Sequence, residues 1–198
     1  MTTNGKANGH GGPSFSGTGS TASVVDLASA CRDYVRRSVG VPLDGTPDTL
    51  SLLDHYLGSV APEAKEAPAA LELALHAAAA YFGEVLRVAF PCYWHAEGDD
   101  PKRWEIRFQK VFLAVNPFAA VAAIVLGDSG GELFRVDDAH AEELVAALEA
   151  LPPVPEEEFL LPSTRFDVVH MIVDKLEARA EAAGHSDVSF DDDDYDDE

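Results

Sequence analysis

Residues 69–94, with the sequence AALELALHAAAAYFGEVLRVAFPCYW, decide how the rest of the chain can fold. Large apolar residues recur in this stretch at the spacing of one helix face, which carries Leu71, Leu75, Ala78, Phe82, Val85 and Leu86. The second face is rich in alanine and contains Gly83, so another part of the chain can approach it closely. The stretch therefore predicts a long central helix, followed by a turn and by a strand that starts at Trp94.

The segment after Trp94 changes from helical to alternating spacing. Trp104, Ile106 and Phe108 alternate with polar residues, and the turn-forming sequence EGDDP precedes them. Two more apolar stretches, VFLAV and ELFRVD, are typical of short strands. Helix start signals predict further helices near Ser23, Thr46, Asn116-Pro117, Asp137 or Asp138, and Ser163. We expect an α+β fold in which a small, mainly antiparallel sheet, over about residues 94–136, packs against the long central helix and several further helices.

The chain of 198 residues is long enough for one domain with a substantial core. Residues 1–21 are rich in glycine and serine and have almost no apolar content, which predicts a disordered N-terminal segment. Residues 22–184 form the predicted single α+β domain. Residues 185–198 are predicted to be a disordered acidic tail.

The chain is strongly acidic, with 35 acidic and 14 basic residues and a net charge of −21. Without the last 12 residues, 27 acidic and 14 basic residues remain, so the body carries a net charge of −13. Binding to nucleic acids or to anionic membranes needs clusters of lysine and arginine, and this charge disfavours both. We expect a protein partner, and a basic one is the class that the charge favours.

The cysteine count and the apolar segments favour a cytoplasmic protein. Cys31 and Cys92 lie far apart, which is typical of two reduced, buried thiols rather than of a disulfide framework. The N-terminus lacks the apolar stretch of a secretory signal peptide. The apolar run over residues 73–90 contains Glu84 and Arg87 and is mostly alanine, which favours a buried helix over a membrane span.

The sequence Ala80-Tyr81-Phe82-Gly83-Glu84-Val85, followed by Trp94, resembles an uncharacterised bacterial domain family. In that family, a helix that ends in a Gly-Ala-Tyr-x-Gly-Glu-Val-like motif precedes a small sheet that begins with Trp. The resemblance covers about residues 45–175, although Ala79 replaces a glycine and residues 91–93 replace a more Gly-rich turn. It implies an α+β fold and no activity, and it makes Tyr81, Gly83, Glu84 and Trp94 the candidate motif. Similar small acidic domains look like immunity or accessory proteins encoded beside toxins or secretion systems.

Glu84 is the polar residue with the clearest alternative interpretations. A buried carboxylate with a raised pKa could act as an acid or a base, whereas a pair with Arg87 would be structural, and the spacing favours the pair. Cys92 could be a thiol nucleophile with His95 or His76, but its aromatic neighbours favour an inert, buried thiol. The histidines lack metal-ligand spacing, and no phosphate-binding loop is present, so we predict neither a metal site nor a cofactor.

These observations favour a non-enzymatic, acidic protein-binding domain, immunity-like or accessory, that acts on a basic protein partner. Two alternatives stay open: an enzyme of unknown class with a site near Glu84, His76 and Trp94, and a scaffold subunit whose termini carry targeting or regulation. The sequence does not indicate an oligomeric state. The acidic tail is a candidate interaction segment, through Asp191, Asp192, Asp193, Asp194, Asp196, Asp197 and Glu198. It lacks the ligand spacing of a specific Ca²⁺ site, and its removal is expected to weaken a salt-sensitive association.

Overall fold

A computed structural model describes residues 21–62, 66–98, 100–127, 132–150, 155–185 and 187–196. The helices are α1 (Thr21–Val39), α2 (Leu50–Val60), α3 (Pro68–Ala89), α4 (Pro117–Leu126), α5 (Asp138–Glu149), α6 (Glu156–Phe159), α7 (Pro162–Ala182) and α8 (Asp192–Asp196). The strands are β1 (Cys92–His95), β2 (Glu105–Phe108), β3 (Leu113–Val115) and β4 (Phe134–Val136). Short 3₁₀ turns cover Pro47–Thr49 and Pro101–Arg103.

The fold is α+β, as predicted. The four strands form one antiparallel sheet in the order β1-β2-β3-β4, so each strand pairs with the next one along the chain. Residues paired across neighbouring strands lie on the same face of a sheet. The row Trp94, Ile106, Val115 and Phe134 therefore lies on one face, which we call the inner face. The row Tyr93, Arg107, Ala114 and Arg135 lies on the other, the outer face.

The predicted central helix is α3, which contacts α1, α4 and β1. Its residues from Ala77 to Gly83 are all buried, so both its large-residue face and its small-residue face are covered. By length and composition alone α3 could cross a membrane, but 61% of its most apolar window is buried within the protein. Burial of alanine and glycine explains how several elements pack against one helix.

Several element ends differ from the sequence prediction, and local contacts explain them. Strand β1 begins at Cys92 rather than at Trp94, because Cys92 pairs with Phe108 of β2. Of the apolar run VFLAV, only residues 113–115 form a strand. Val111 and Phe112 lie in the turn that connects β2 to β3.

Neither Thr46 nor Ser163, the two predicted helix caps, uses its side chain as a cap, and both donate to a carboxylate instead. Asp44 Oδ1 accepts hydrogen bonds from the Thr46 backbone N–H at 2.8 Å and from the Thr46 hydroxyl at 2.6 Å. Asp54 of α2 accepts from the Ser163 backbone N–H at 3.1 Å, at the start of α7. The Ser163 N–H is a donor that the first turn of α7 leaves free, whereas the Thr46 N–H belongs to the residue just before the 3₁₀ turn Pro47–Thr49.

The acidic C-terminal segment also differs from the prediction of a solvated tail. Residues 190–196 lie against the sheet, and Tyr195 within α8 is only 3% exposed. The predictions for residues 1–20 and for residues 197–198 fall outside the described part of the chain. This segment contains two aromatic residues, Phe190 and Tyr195, in addition to its acidic residues. Burial of aromatic side chains can offset the loss of conformational entropy when such a segment becomes ordered.

Candidate functional site

Gly83 and Trp94 form the contact that joins the central helix to the sheet. A Cβ atom placed on Gly83 would lie 2.2 Å from two carbons of the Trp94 indole ring. Real Cβ atoms do not approach other atoms so closely, so the indole occupies the space that only glycine leaves at this position. Gly83, which has a low helix propensity, is thus needed here for packing.

Glu84 lies beside this contact and holds it through three hydrogen bonds. Its Oε1 accepts from Trp94 Nε1 at 2.8 Å and from Arg87 Nε at 3.0 Å, and its Oε2 accepts from Arg87 Nη2 at 3.0 Å. Burial alone would raise the pKa of Glu84, but the hydrogen bonds from Arg87 and Trp94 outweigh it, so the pKa is lowered. The carboxylate is therefore ionised at neutral pH and has both oxygens engaged.

Tyr81, the fourth residue of the candidate motif, makes different contacts. Its hydroxyl accepts a hydrogen bond from the Gly45 backbone N–H at 3.0 Å and lies 3.1 Å from the Thr49 hydroxyl. The Arg32 guanidinium lies 5.6 Å from the centroid of the Tyr81 ring. Tyr81 thus anchors the segment before α2, whereas Gly83, Glu84 and Trp94 meet at the sheet.

The other candidate catalytic side chains, His76, Cys92 and His95, do not form a common site with Glu84. His76 precedes Glu84 by eight residues of α3, which is about 12 Å along the helix axis. The His76 ring lies against Phe118, with 5.6 Å between centroids, and burial lowers the pKa of the imidazole. Its Nε2 has no hydrogen-bond partner within the described residues.

Cys92 and His95 lie on opposite faces of β1, because they are three positions apart in a strand and side chains alternate between its faces. Cys92 lies on the inner face opposite Phe108, and burial raises the pKa of its thiol to about 12. His95 lies on the outer face, 3.5 Å from a carboxylate oxygen of Asp192. Within the ranges that the structure describes, no group of three or more histidine, cysteine, aspartate or glutamate residues could hold a metal ion.

Within the candidate acidic tail, the described residues make unequal contacts. Asp192 and Asp196 pair with Arg107 of β2 at 3.0 and 3.1 Å. Asp193 and Asp194 are exposed, and Asp191 bonds with its neighbours in the tail. Asp197 and Glu198 lie outside the described residues. The tail is therefore held by the protein's own arginine, which the charge pattern alone did not predict.

Helix α7 presents a second acidic feature. Asp167, Asp174, Glu177 and Glu181 are all exposed, and their helical spacing places them within a narrow band. We call these four residues the acidic stripe. It extends over about 21 Å of helix, since its first and last residues are 14 positions apart. His170, which lies within the band, is 3.7 Å from Asp174. Among the described residues, no arginine or lysine pairs with any of the four carboxylates.

Comparisons of the chain with protein-family models, with curated proteins and with solved structures find no match. The resemblance to an uncharacterised bacterial domain family, which rests on residues 80–85 followed by Trp94, therefore stays a prediction.

Proposed function

We propose that this protein is a non-enzymatic binding domain whose acidic exterior recognises a basic protein partner, in the manner of an immunity-like or accessory protein of the cytoplasm. The observation that carries the proposal is the acidic stripe on α7, which aligns four exposed carboxylates along one helix. A row of like charges on a rigid element matches a basic helix or strand of similar length.

The charge of the whole chain supports the same proposal. A net charge of −21 attracts a basic partner from a distance and raises the rate of association. The stripe then provides a local surface that fixes the orientation of the partner. Its carboxylates are free of competing arginines and lysines among the described residues, in contrast to Asp192 and Asp196 of the tail.

The geometry of Glu84 favours the binding role over an enzyme site. A general acid or base must reach a substrate, and both oxygens of Glu84 already accept hydrogen bonds from Arg87 or Trp94. A general acid at neutral pH also requires a raised pKa, whereas the pKa of Glu84 is lowered. These contacts give Glu84 a structural role, in which it connects helix α3 to strand β1 through Trp94.

The test measures association with the basic proteins encoded beside this gene, at about 0.02 M and about 0.15 M salt. The stripe variant carries Asp167→Asn, Asp174→Asn, Glu177→Gln and Glu181→Gln. A control variant removes the same charge from exposed residues elsewhere, through Asp26→Asn, Glu66→Gln, Glu132→Gln and Glu158→Gln. We expect the stripe variant to associate about tenfold more slowly than the control variant, with a weaker dependence on salt.

Two results would contradict the proposal. One is that no basic protein of the neighbourhood binds the wild-type chain even at low salt. The other is that the stripe variant and the control variant bind equally well, because recognition would then depend on net charge and not on α7.

A further inference from the structure

The outer face of the sheet is covered by the C-terminal segment of the chain. Tyr195 packs against the two arginines of this face, with its ring centroid 5.1 Å from the guanidinium of Arg107 and 5.4 Å from that of Arg135. The same ring stacks on Phe112, with 4.6 Å between centroids and 14° between planes. Two guanidinium groups and one aromatic ring thus pack against a single phenol ring.

The Tyr195 hydroxyl fits into the turn between β2 and β3. It accepts a hydrogen bond from the Leu113 N–H at 3.1 Å. Three carbonyl oxygens lie within reach of its single proton, those of Phe108 at 2.8 Å, Leu113 at 3.0 Å and Val111 at 3.2 Å. A socket made of one backbone donor and several backbone acceptors selects a hydroxyl over an apolar tip, because a bare ring would leave these groups unsatisfied.

Carboxylates on either side of Tyr195 complete the contact. The side chain of Arg107 is only 5% exposed and pairs with Asp192 at 3.0 Å and with Asp196 at 3.1 Å. Its remaining pair is with Glu105 of the same strand, at 3.4 Å. Without the tail, the Arg107 guanidinium would keep a single carboxylate partner, Glu105, which it shares with Arg135. Since a charge that is removed from water needs partners, a segment that covers this face must bring acidic residues to Arg107.

We propose that the outer face of the sheet is a recognition site for an acidic segment of the form Asp-x-x-Tyr-Asp. The chain's own tail, through Asp192, Tyr195 and Asp196, is its resident occupant, and a partner protein's segment of the same chemistry displaces the tail to bind there. The tail thus acts as an intramolecular competitor. This site lies on the sheet and does not depend on the acidic stripe of α7.

The test measures binding of a fluorescent peptide with the sequence of residues 187–196 to the full-length chain. In the wild-type protein the tethered tail competes at an effective concentration on the order of millimolar. Tyr195→Ala in the full chain removes the ring from the tethered tail and leaves the socket intact. We expect the peptide to bind this variant at least about tenfold more tightly than it binds the wild-type protein.

Changes in the peptide test the chemistry without altering the protein. A peptide with Tyr195→Phe keeps the ring and the charge but lacks the hydroxyl, so we expect it to bind about tenfold more weakly. On the protein, Arg107→Gln in the Tyr195→Ala background is expected to abolish binding. Arg103→Gln removes the same charge from an exposed residue and should leave binding unchanged.

Three results would overturn the proposal. The first is that Tyr195→Ala, with a native near-ultraviolet circular dichroism spectrum, binds the peptide no more tightly than the wild-type protein does. The second is that a peptide with Tyr195→Ala binds as tightly as the unsubstituted peptide does, because recognition would then depend on charge alone. The third is a wild-type dimer that Tyr195→Ala converts to monomer, because the tail would then occupy the face of a second copy.

Discussion

At the scale of single residues, two glycines of this protein show opposite roles of the same amino acid in a helix. Gly58 lies in α2, and a Cβ atom placed on it meets nothing within 4 Å. Gly83 lies in α3, and its Cβ atom would clash with Trp94. Helix propensity favours alanine at both positions, by about 1 kcal/mol. The two positions differ in what packs against them, and this decides whether alanine is tolerated.

We therefore expect Gly83→Ala and Gly58→Ala to change the free energy of unfolding in opposite directions. Gly58→Ala should stabilise the protein by about 0.5–1 kcal/mol, because it removes conformational freedom from the unfolded chain. Gly83→Ala should destabilise it by about 1–3 kcal/mol, because overpacking against the indole exceeds the gain in propensity. Urea denaturation of both variants measures the two effects.

A double-mutant cycle identifies the indole as the cause. In a Trp94→Leu background the ring is absent, so Gly83→Ala should lose most of its destabilising effect. If Gly83→Ala were equally destabilising in both backgrounds, the clash with Trp94 would not explain the glycine.

The candidate motif was predictable from sequence in part. A glycine inside an otherwise strong helix indicates a close approach, and an aromatic residue at the start of a strand is a natural partner. The glutamate three residues before Arg87 also predicts a pair on one helix face. Tyr81 cannot be assigned in this way, because its partners Gly45 and Thr49 lie more than 30 residues away.

At the scale of elements, Asp54 connects helix α2 to the start of helix α7. Its Oδ1 accepts from the Ser163 N–H at 3.1 Å, and its Oδ2 accepts from the Ser163 hydroxyl at 2.5 Å. The two helices are 109 residues apart in sequence at this contact. A carboxylate near the first turn of a helix satisfies a free N–H and interacts well with the helix dipole.

We expect Asp54→Ala to destabilise the protein by about 1–3 kcal/mol, since it leaves two donors of Ser163 without an acceptor. Asp26→Ala, at an exposed position of α1, is the control and should change stability by less than about 0.5 kcal/mol. Thermal denaturation of the two variants measures the difference. Equal effects would show that the contact does not anchor α7.

The pH dependence of the same contact has a definite sign. Burial raises the pKa of Asp54 in the folded protein, although the hydrogen bonds from Ser163 oppose the shift. The folded state therefore binds the proton more tightly than the unfolded state does. The stability of the wild type relative to Asp54→Asn is accordingly greatest below about pH 4 and falls as the pH rises through the folded pKa. Urea denaturation of the wild type and of Asp54→Asn at several pH values measures this difference in the free energy of unfolding.

Among the elements, helices were predicted better than strands. The helical period extends over many residues in α1, α3 and α7, so a local irregularity does not hide it. The strands have only three or four residues, and their limits depend on partners, as for Cys92 with Phe108. The place of the tail was not predictable, because it depends on a socket that exists only once β2 and β3 have paired.

At the scale of the whole molecule, the two cysteines lie in two different elements of one core. Cys31 lies in α1 with no exposed surface, and Cys92 lies in β1 on the inner face of the sheet. Both belong to the same cluster of buried residues. Burial raises the pKa of each thiol to about 12, with nearby arginines opposing the shift. The reactive thiolate is therefore nearly absent from the folded protein at neutral pH.

Because one thiol lies in a helix and the other in the sheet, their reactivity tests the prediction that residues 22–184 form a single domain. If the helices and the sheet unfold as one cooperative unit, both thiols become reactive only through that transition. We expect an alkylating reagent to label Cys31 and Cys92 with the same dependence on urea concentration, as followed by mass spectrometry of the separate peptides. Labelling of unfolded protein at high urea gives the intrinsic rate of each thiol. Earlier labelling of Cys92 would instead show that the sheet opens apart from α1, because local opening exposes one site without the other.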